Sequence, residues 1–305
     1  MIKKNNVMKG LVFALITAVI SGVSIFYSKI SLSKIDPLVL TTSRNLFVGI
    51  VFFSGIFFSR KFNDLKKINR KDLFRLILIG LIGGGIPFYL FFTGLQSVGS
   101  QSANIIHKSL FIWVSLLAFI FLKEKLNLFS VIAYLFVIFG TFFIAPIKFV
   151  FGPGILMIAT ATLLWSIENI IAKKILVNIS SEIVGMFRMG IGALVLIIMT
   201  LITGKINLLF HLNPVQLSSI FIGGGILSFY VYFWYKALKF APANLVTLVL
   251  TFSVVIGNIL SGSLTKIKIT SNDLTTSVLI CTGAMIILIH QTYINKNHRV
   301  KLVNE

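Results

Sequence analysis

Four charged side chains stand inside long apolar runs: Arg44, Lys108, Glu168 and Arg188. A charge so placed is costly unless it is paired or hydrated, so each is a candidate for binding work rather than solvation. Three of the four are cations, which suits recognition of a carboxylate or phosphate group. The glutamate suits a proton or a cationic group. Bond-making chemistry has no matching residues. The chain contains no His-Glu-x-x-His, no Gly-x-Ser-x-Gly and no paired aspartates, so catalytic candidates are none. His107, His211, His290 and His298 are scattered without ligand spacing, and Cys281 is the single cysteine. Neither a metal site nor an intrachain disulfide is expected, and no phosphate-cradling glycine-rich loop accompanies a predicted strand.

These residues are carried on elements that fit lipid as their solvent. Of 305 residues 57% are hydrophobic and 12% charged, where a soluble domain carries about 25% charge. Mean hydropathy is +0.98. Apolar runs near 20 residues, the length that crosses the hydrocarbon core as a helix, recur along the chain. They predict ten helices over 10–29, 37–59, 73–96, 102–122, 128–146, 152–172, 182–203, 215–238, 244–263 and 274–292. The first run follows lysines, as a signal peptide does, but is too long for one and is read as a retained helix. Asp36-Pro37 and Asn213-Pro214 pair an N-cap with proline at the first helical position. Asp72 and Asp273 are expected to cap the third and tenth helices. Pro146, Pro153 and Pro242 fall in connections, whereas Pro87 lies inside a helix, where it removes a hydrogen bond and predicts a kink.

The net charge of +20 is explained by where the lysines and arginines sit. Ten spans with the N-terminus inside place 19 of them on the inner side and 6 on the outer, with three inside spans. This bias predicts a multi-pass protein of the plasma (inner) membrane with both termini cytoplasmic, and it removes the need for a nucleic-acid partner. The most basic segment, 60–75, is read as an anchor on anionic lipid.

The chain also repeats itself. Gly10-Leu11-Val12-Phe13-Ala14 matches Gly154-Ile155-Leu156-Met157-Ile158, and Arg44 matches Arg188, both at an offset of 144. Gly83-Gly84-Gly85-Ile86 recurs as Gly223-Gly224-Gly225-Ile226, offset 140, and Tyr89…Leu95 as Tyr232…Leu238, offset 143. Ordered matches at nearly one offset predict two five-helix halves, 1–147 and 148–305. Five is odd, so the second half enters the membrane from the opposite side. Inverted repeats place a substrate near the midplane between the halves. The fold class expected is therefore all-α integral membrane, with ten transmembrane helices in two inverted five-helix repeats.

Symmetry sharpens the candidates. Arg44 lies about two turns into the second helix, and Arg188 at the matching depth from the other face. They either snorkel to headgroups and loop carbonyls or draw an anionic group into alternating vestibules. Lys108 has Thr251 as its repeat equivalent, so it is an asymmetric cation, and it is read as a ligand for a carboxylate or phosphate. His107 beside it is a proton-responsive neighbour. Glu168 either pairs with Lys173 along its helix or serves as a coupling carboxylate. Its depth differs from that of Lys108, so no direct pair between them is expected. Trp165, Tyr89 and Tyr235, with Tyr230 and Trp234, either line the pathway or pack toward lipid.

Several of these residues carry a resemblance to a known family. Ile35-Asp36-Pro37 with Arg44, Gly94-Leu95 and Ala237-Leu238, Phe121-Leu122-Lys123-Glu124-Lys125-Leu126, and Leu164-Trp165 before Lys173-Lys174 resemble the EamA-type ten-helix transporters of the drug/metabolite transporter superfamily. The resemblance spans roughly 10–292. The second half departs from it, reading Ser263-Leu264-Thr265-Lys266-Ile267 where a glutamate is usual. Ser109 and about Ser253 stand near the places of two family prolines. The resemblance implies a secondary transporter for amino acids, related metabolites or drugs, working without ATP or a cofactor and more often exporting or exchanging than taking up. An uptake carrier for an anionic metabolite, a channel and a non-transporting subunit are the alternatives. The partners expected are a small-molecule substrate and the bilayer, with the chain as monomer or homodimer.

Overall fold

A computed structural model of the chain describes residues 4–59, 62–98, 103, 106–143, 152–264 and 269–303. Pro146, Lys3, Arg60, Lys61, Lys148, Lys266 and Lys268, the start of the fourth predicted span and the end of the fifth lie outside the described residues. Among the described residues the secondary structure is entirely helical. Eight helices among the described residues are long and apolar enough to cross a membrane: α1 (Asn6–Leu32), α2 (Pro37–Phe58), α3 (Arg70–Ser97), α6 (Pro153–Ile175), α7 (Ser181–Ile202), α8 (Pro214–Phe240), α9 (Ala243–Leu264) and α10 (Ser271–Ile294). Two shorter apolar helices, α4 (Ile106–Leu122) and α5 (Leu128–Phe142), complete the ten. The last helix continues to Val303, well beyond the apolar stretch that predicted it. A short helix, Phe62–Lys66, and a 3₁₀ turn, Ile206–Leu209, occupy connections where the apolar pattern predicts nothing.

The helix starts follow local chemistry. The Asp36 carboxylate accepts from the Leu38 and Val39 amides, and Asn213 forms a reciprocal capping box with Gln216. Two expected caps are corrected. Asn69, not Asp72, caps α3, and Asp72 instead pairs with Arg75 at 2.9 Å. Asp273 sits three residues inside α10 and exchanges hydrogen bonds with Thr270, which takes the cap position. In both cases the acid fills the third helical position, where it also favours the positive end of the helix dipole.

Packing follows the repeat. α1 runs along α8 as α6 runs along α3, α2 crosses α7, and α9 touches α1 as α4 touches α6. α3 meets α7 as α8 meets α2, and the pairs α4–α9 and α5–α10 complete the set. Exchanging the halves leaves this pattern unchanged, so the two five-helix units are interleaved around one pseudo-twofold axis. Small residues make the closest approaches in equivalent places: Gly10 faces the Ala241 backbone at the end of α8, and Gly154 faces Gly94 and Ser97 at the end of α3. Large apolar side chains such as Phe53, Phe58, Phe74, Phe119, Leu135 and Ile202 remain exposed on the outside of the bundle, as a lipid-facing surface requires.

Candidate functional site

Pro87 builds the first part of the site. In a regular α-helix the Gly83 carbonyl would receive the N–H of residue 87, and proline has none. The helix does more than kink there. It widens into a π turn over Gly80–Gly85 before resuming at Ile86. The carbonyls beside this turn are satisfied from three other helices. Gly83 O accepts from Trp165 Nε1 of α6 at 2.9 Å and from Arg188 Nε of α7 at 3.3 Å. Gly84 O accepts from Asn45 Nδ2 of α2 at 2.7 Å. Glycine is required for the closeness. A side chain at Gly83 would collide with Glu168, and one at Gly84 would overlap the Arg188 carbonyl.

This junction borders a cavity between the halves. From α1 it takes Ser21, Ser24 and Ser28; from α2, Arg44; from α7, Arg188. Its aromatic walls are Phe88, Phe91 and Phe92 of α3, Trp165 of α6, and Tyr230 and Trp234 of α8, with His107 of α4 and Asn169 of α6 beside them. The rings hold one another: His107 lies 5.1 Å from Trp165 and 5.1 Å from Phe91, and Tyr230 stacks on Trp234 at 6.1 Å. Trp234 Nε1 donates to Asn169 Oδ1 at 3.0 Å.

The two arginines do not snorkel. Their relative exposures are 3% for Arg44 and 5% for Arg188, and both line this one cavity although they enter from opposite ends of the bundle. Arg44 Nη1 donates to Ser28 Oγ at 2.8 Å, and its Nε has no partner among the described residues. Arg188 Nη1 likewise has none. Buried guanidinium N–H groups left open are positioned to receive an anionic oxygen.

The other sequence candidates divide. His107 and Trp165 line the cavity with the arginines. Glu168 and Tyr235 sit fully buried behind the Arg188 wall, where Tyr235 O–H donates to Glu168 Oε1 at 2.6 Å and Oε2 is unpartnered. The intrahelical pair between Glu168 and Lys173 does not form. Lys173 Nζ instead donates to the Leu238 and Ala241 carbonyls, where it closes the end of α8. Lys108 lies in an adjoining chamber, and Glu168 is not among its partners. Tyr89 is half-buried against the apolar core and lines no part of the cavity. The serines of α1 were missed. Their spacing of three and four residues places Ser21, Ser24 and Ser28 on one helical face, a polar stripe legible in the sequence. Asn45 and Asn169 each adjoin a singled-out charge and were also missed.

Residues 8–145 and 152–289 each match the EamA-like transporter family. The chain belongs to the EamA-like transporter family. This EamA-like protein is 25% identical over 268 residues to the uncharacterized transporter YoaV of Bacillus subtilis, covering 84% of this chain and 88% of that one. It is 24% identical over 211 residues to an uncharacterized transporter of Methanothermobacter thermautotrophicus, where the match covers 63% of this chain and 61% of the relative. One solved crystal structure is similar at a TM-score of 0.74 and 17% identity, over 93% of this chain and 97% of that one, a likeness of fold. The EamA-like chain is therefore a multi-pass membrane protein of a transporter family. Among its described residues, no group of three His, Cys, Asp or Glu side chains could hold a metal ion.

Proposed function

We propose that this chain is a secondary carrier that moves a small organic solute bearing an anionic group, an amino acid or related acid, by alternating access. The observation that carries this reading is the pair Arg44 and Arg188. They occupy equivalent positions in the two halves, yet they border a single aromatic-walled cavity that no acidic side chain lines among the described residues. Such a cavity suits a carboxylate with an apolar body, with the serines and Asn169 offering hydrogen bonds to its remaining polar groups. The inverted halves supply the means of opening the site to each face in turn. The charge bias supports a carrier with both termini cytoplasmic, in the plasma membrane. The family supports export or exchange as the direction, and the cationic lining favours an anionic metabolite over a cationic drug.

The test is counterflow in proteoliposomes loaded with a panel of amino acids and organic acids and their carboxamides, which lack the carboxylate charge. Saturable exchange of an acid, absent for its amide and lost in Arg44→Gln and Arg188→Gln, is expected. Flux that rises linearly with concentration without exchange would indicate a channel and end the carrier reading. Metabolite profiling of cells lacking the protein then names the solute, and a sided assay gives the direction.

A further inference from the structure

Beside the central cavity lies a second chamber between α1, α3, α4 and α9. The two share a wall, since Ile25, Phe91 and Leu95 border both. Beside the chamber α4 and α9 tighten at matching places. Ser109 N bonds back to Ile106 O, and Thr251 N and Phe252 N bond back to Leu248 O and Val249 O, each over three residues rather than four. Ser109 and Phe252 are repeat equivalents at the offset of 143. These turns bring Lys108 of α4 against Ser253 of α9.

Lys108 is 4% exposed, and among the described residues its hydrogen-bond partner is Ser253 Oγ at 2.5 Å. The ion pairs formed among those residues leave it out. Among the described residues the chamber lining contains two lysines, Lys29 and Lys108, with Asn258 and Ser261, and no aspartate or glutamate. An ammonium this buried, with one hydroxyl and no carboxylate beside it, lacks the counter-charge that makes burial tolerable. One turn along α9 from Ser253 the protein leaves room. A Cβ at Gly257, which lines the chamber, would meet no atom within 4 Å.

We propose that this chamber is a second anion subsite, in which Lys108 and Ser253 bind the carboxylate of a solute adjoining the central cavity. The proposal rests on the anionic solute class assigned above and adds a second station beside the arginine cavity. A lipid phosphate presents the same chemistry to the lysine, and the experiment separates the two sources.

The experiment is equilibrium dialysis of radiolabelled benzoate against the purified full-length protein in an uncharged maltoside detergent. Wild type is expected to bind two benzoates per chain. Lys108→Gln should bind one, and so should Gly257→Met, which adds bulk at a chamber-lining position where a Cβ would meet no atom within 4 Å. The Arg44→Gln/Arg188→Gln double variant should also keep one, at the Lys108 station. All variants are to elute as a single symmetric peak, and two independent ways of closing the chamber guard against a variant that misfolds. One benzoate in wild type, unchanged by Lys108→Gln and Gly257→Met, overturns the second subsite while leaving the arginine cavity standing. No benzoate at all defeats the anionic reading and this inference with it. Loss of the Lys108-dependent benzoate on adding phosphatidylglycerol would assign the chamber to lipid phosphate and overturn its role for solute.

Discussion

Arg44 and Arg188 occupy equivalent positions in the two halves, and each lies against the glycine-rich turn of the opposite half. Their surroundings differ. Arg188 reaches the Gly83 carbonyl at a π turn that Pro87 opens, shares that carbonyl with Trp165, and has Glu168 and Tyr235 behind it. Arg44 lies beside Gly223 in α8, a helix unbroken from Pro214 to Phe240, and bonds to Ser28 of its own half. The Gly224 carbonyl receives the Ser228 hydroxyl of the same helix, where the Gly84 carbonyl receives Asn45 of another. The duplicated scaffold supplies two arginines facing one cavity, and one proline with one glutamate makes the two niches unlike. The niche that holds Arg188 is a polar junction of several helices, and the niche that holds Arg44 is a plainer contact. Substitutions at equivalent positions can break or sharpen this contrast.

The largest difference is expected between the glycine triplets. A side chain at Gly84 would overlap the Arg188 backbone and Gly192, whereas at the equivalent Gly224 the nearest atoms belong to the Phe47 ring. Backbone cannot yield as a flexible side chain does, so Gly84→Val should cost more than about 3 kcal/mol and leave little folded protein. Gly224→Val, set against a ring that can turn aside, should cost only about 1 kcal/mol. Thermal unfolding in detergent measures both. Equal effects would mean that the two turns are equally tight and the contrast is false.

The arginines come next. Either Arg→Gln change removes charge-assisted bonds to the solute worth about 1.5–3 kcal/mol, a loss of about 10- to 150-fold in counterflow. Stability should separate them. Arg188→Gln leaves Glu168 buried without the cation that faces it, which costs about 3 kcal/mol, while Arg44→Gln abandons no acid. Adding Glu168→Gln to Arg188→Gln should restore stability but not flux. If Arg44→Gln were the more destabilising, the contrast between the two niches would be reversed.

A smaller effect is expected from Pro87→Ala. The restored N–H competes for the Gly83 carbonyl and loosens Trp165 and Arg188 together. Counterflow should fall by about tenfold, or about 1.4 kcal/mol, with a red shift in Trp165 emission when Trp113 and Trp234 are replaced by phenylalanine. The equivalent place in α8 is Tyr230, which already has its N–H, so no substitution there can produce this result.

Much of this was open to a reader of the sequence. Span lengths, the offsets near 144 and the pairing of Arg44 with Arg188 follow from one-dimensional patterns, because lipid imposes length and duplication preserves spacing. What escaped was the direction in which side chains turn. An apolar helix with little amphipathicity does not announce which face meets its neighbours, so Arg44 and Arg188 could equally have snorkelled, and Tyr89 could equally have faced the cavity. Pro87 was legible as a defect in one helix. That its orphaned carbonyl would gather Trp165 and Arg188 depended on contacts more than 75 positions away in the chain. Glu168 and Lys173 lie near each other in sequence and suggested a pair, but Lys173 found two carbonyls and Glu168 a tyrosine, each a better partner than the helix surface offered.

The smallest effect tests the contrast at the end of the bundle. The Glu124 carboxylate accepts from the Ala243 and Asn244 amides at 2.9 and 3.1 Å, so a residue from the α4–α5 connection caps α9 from 119 positions away. Pro242 precedes that turn and has no side-chain oxygen to do the work itself. The second half reads Ser263-Leu264-Thr265-Lys266-Ile267 in the corresponding stretch and has no such acid to offer α4. Glu124→Gln keeps one acceptor and loses the charge that favours a helix N-terminus, so it should cost about 1 kcal/mol in thermal unfolding. Lys266→Glu, which places an acid in the second half, should not destabilise, and a gain would show that α4 lacks the cap that α9 has. A loss as large as that of Glu124→Gln would mean that the two ends are held by different contacts, and the asymmetry would then be confined to the turn at Gly83.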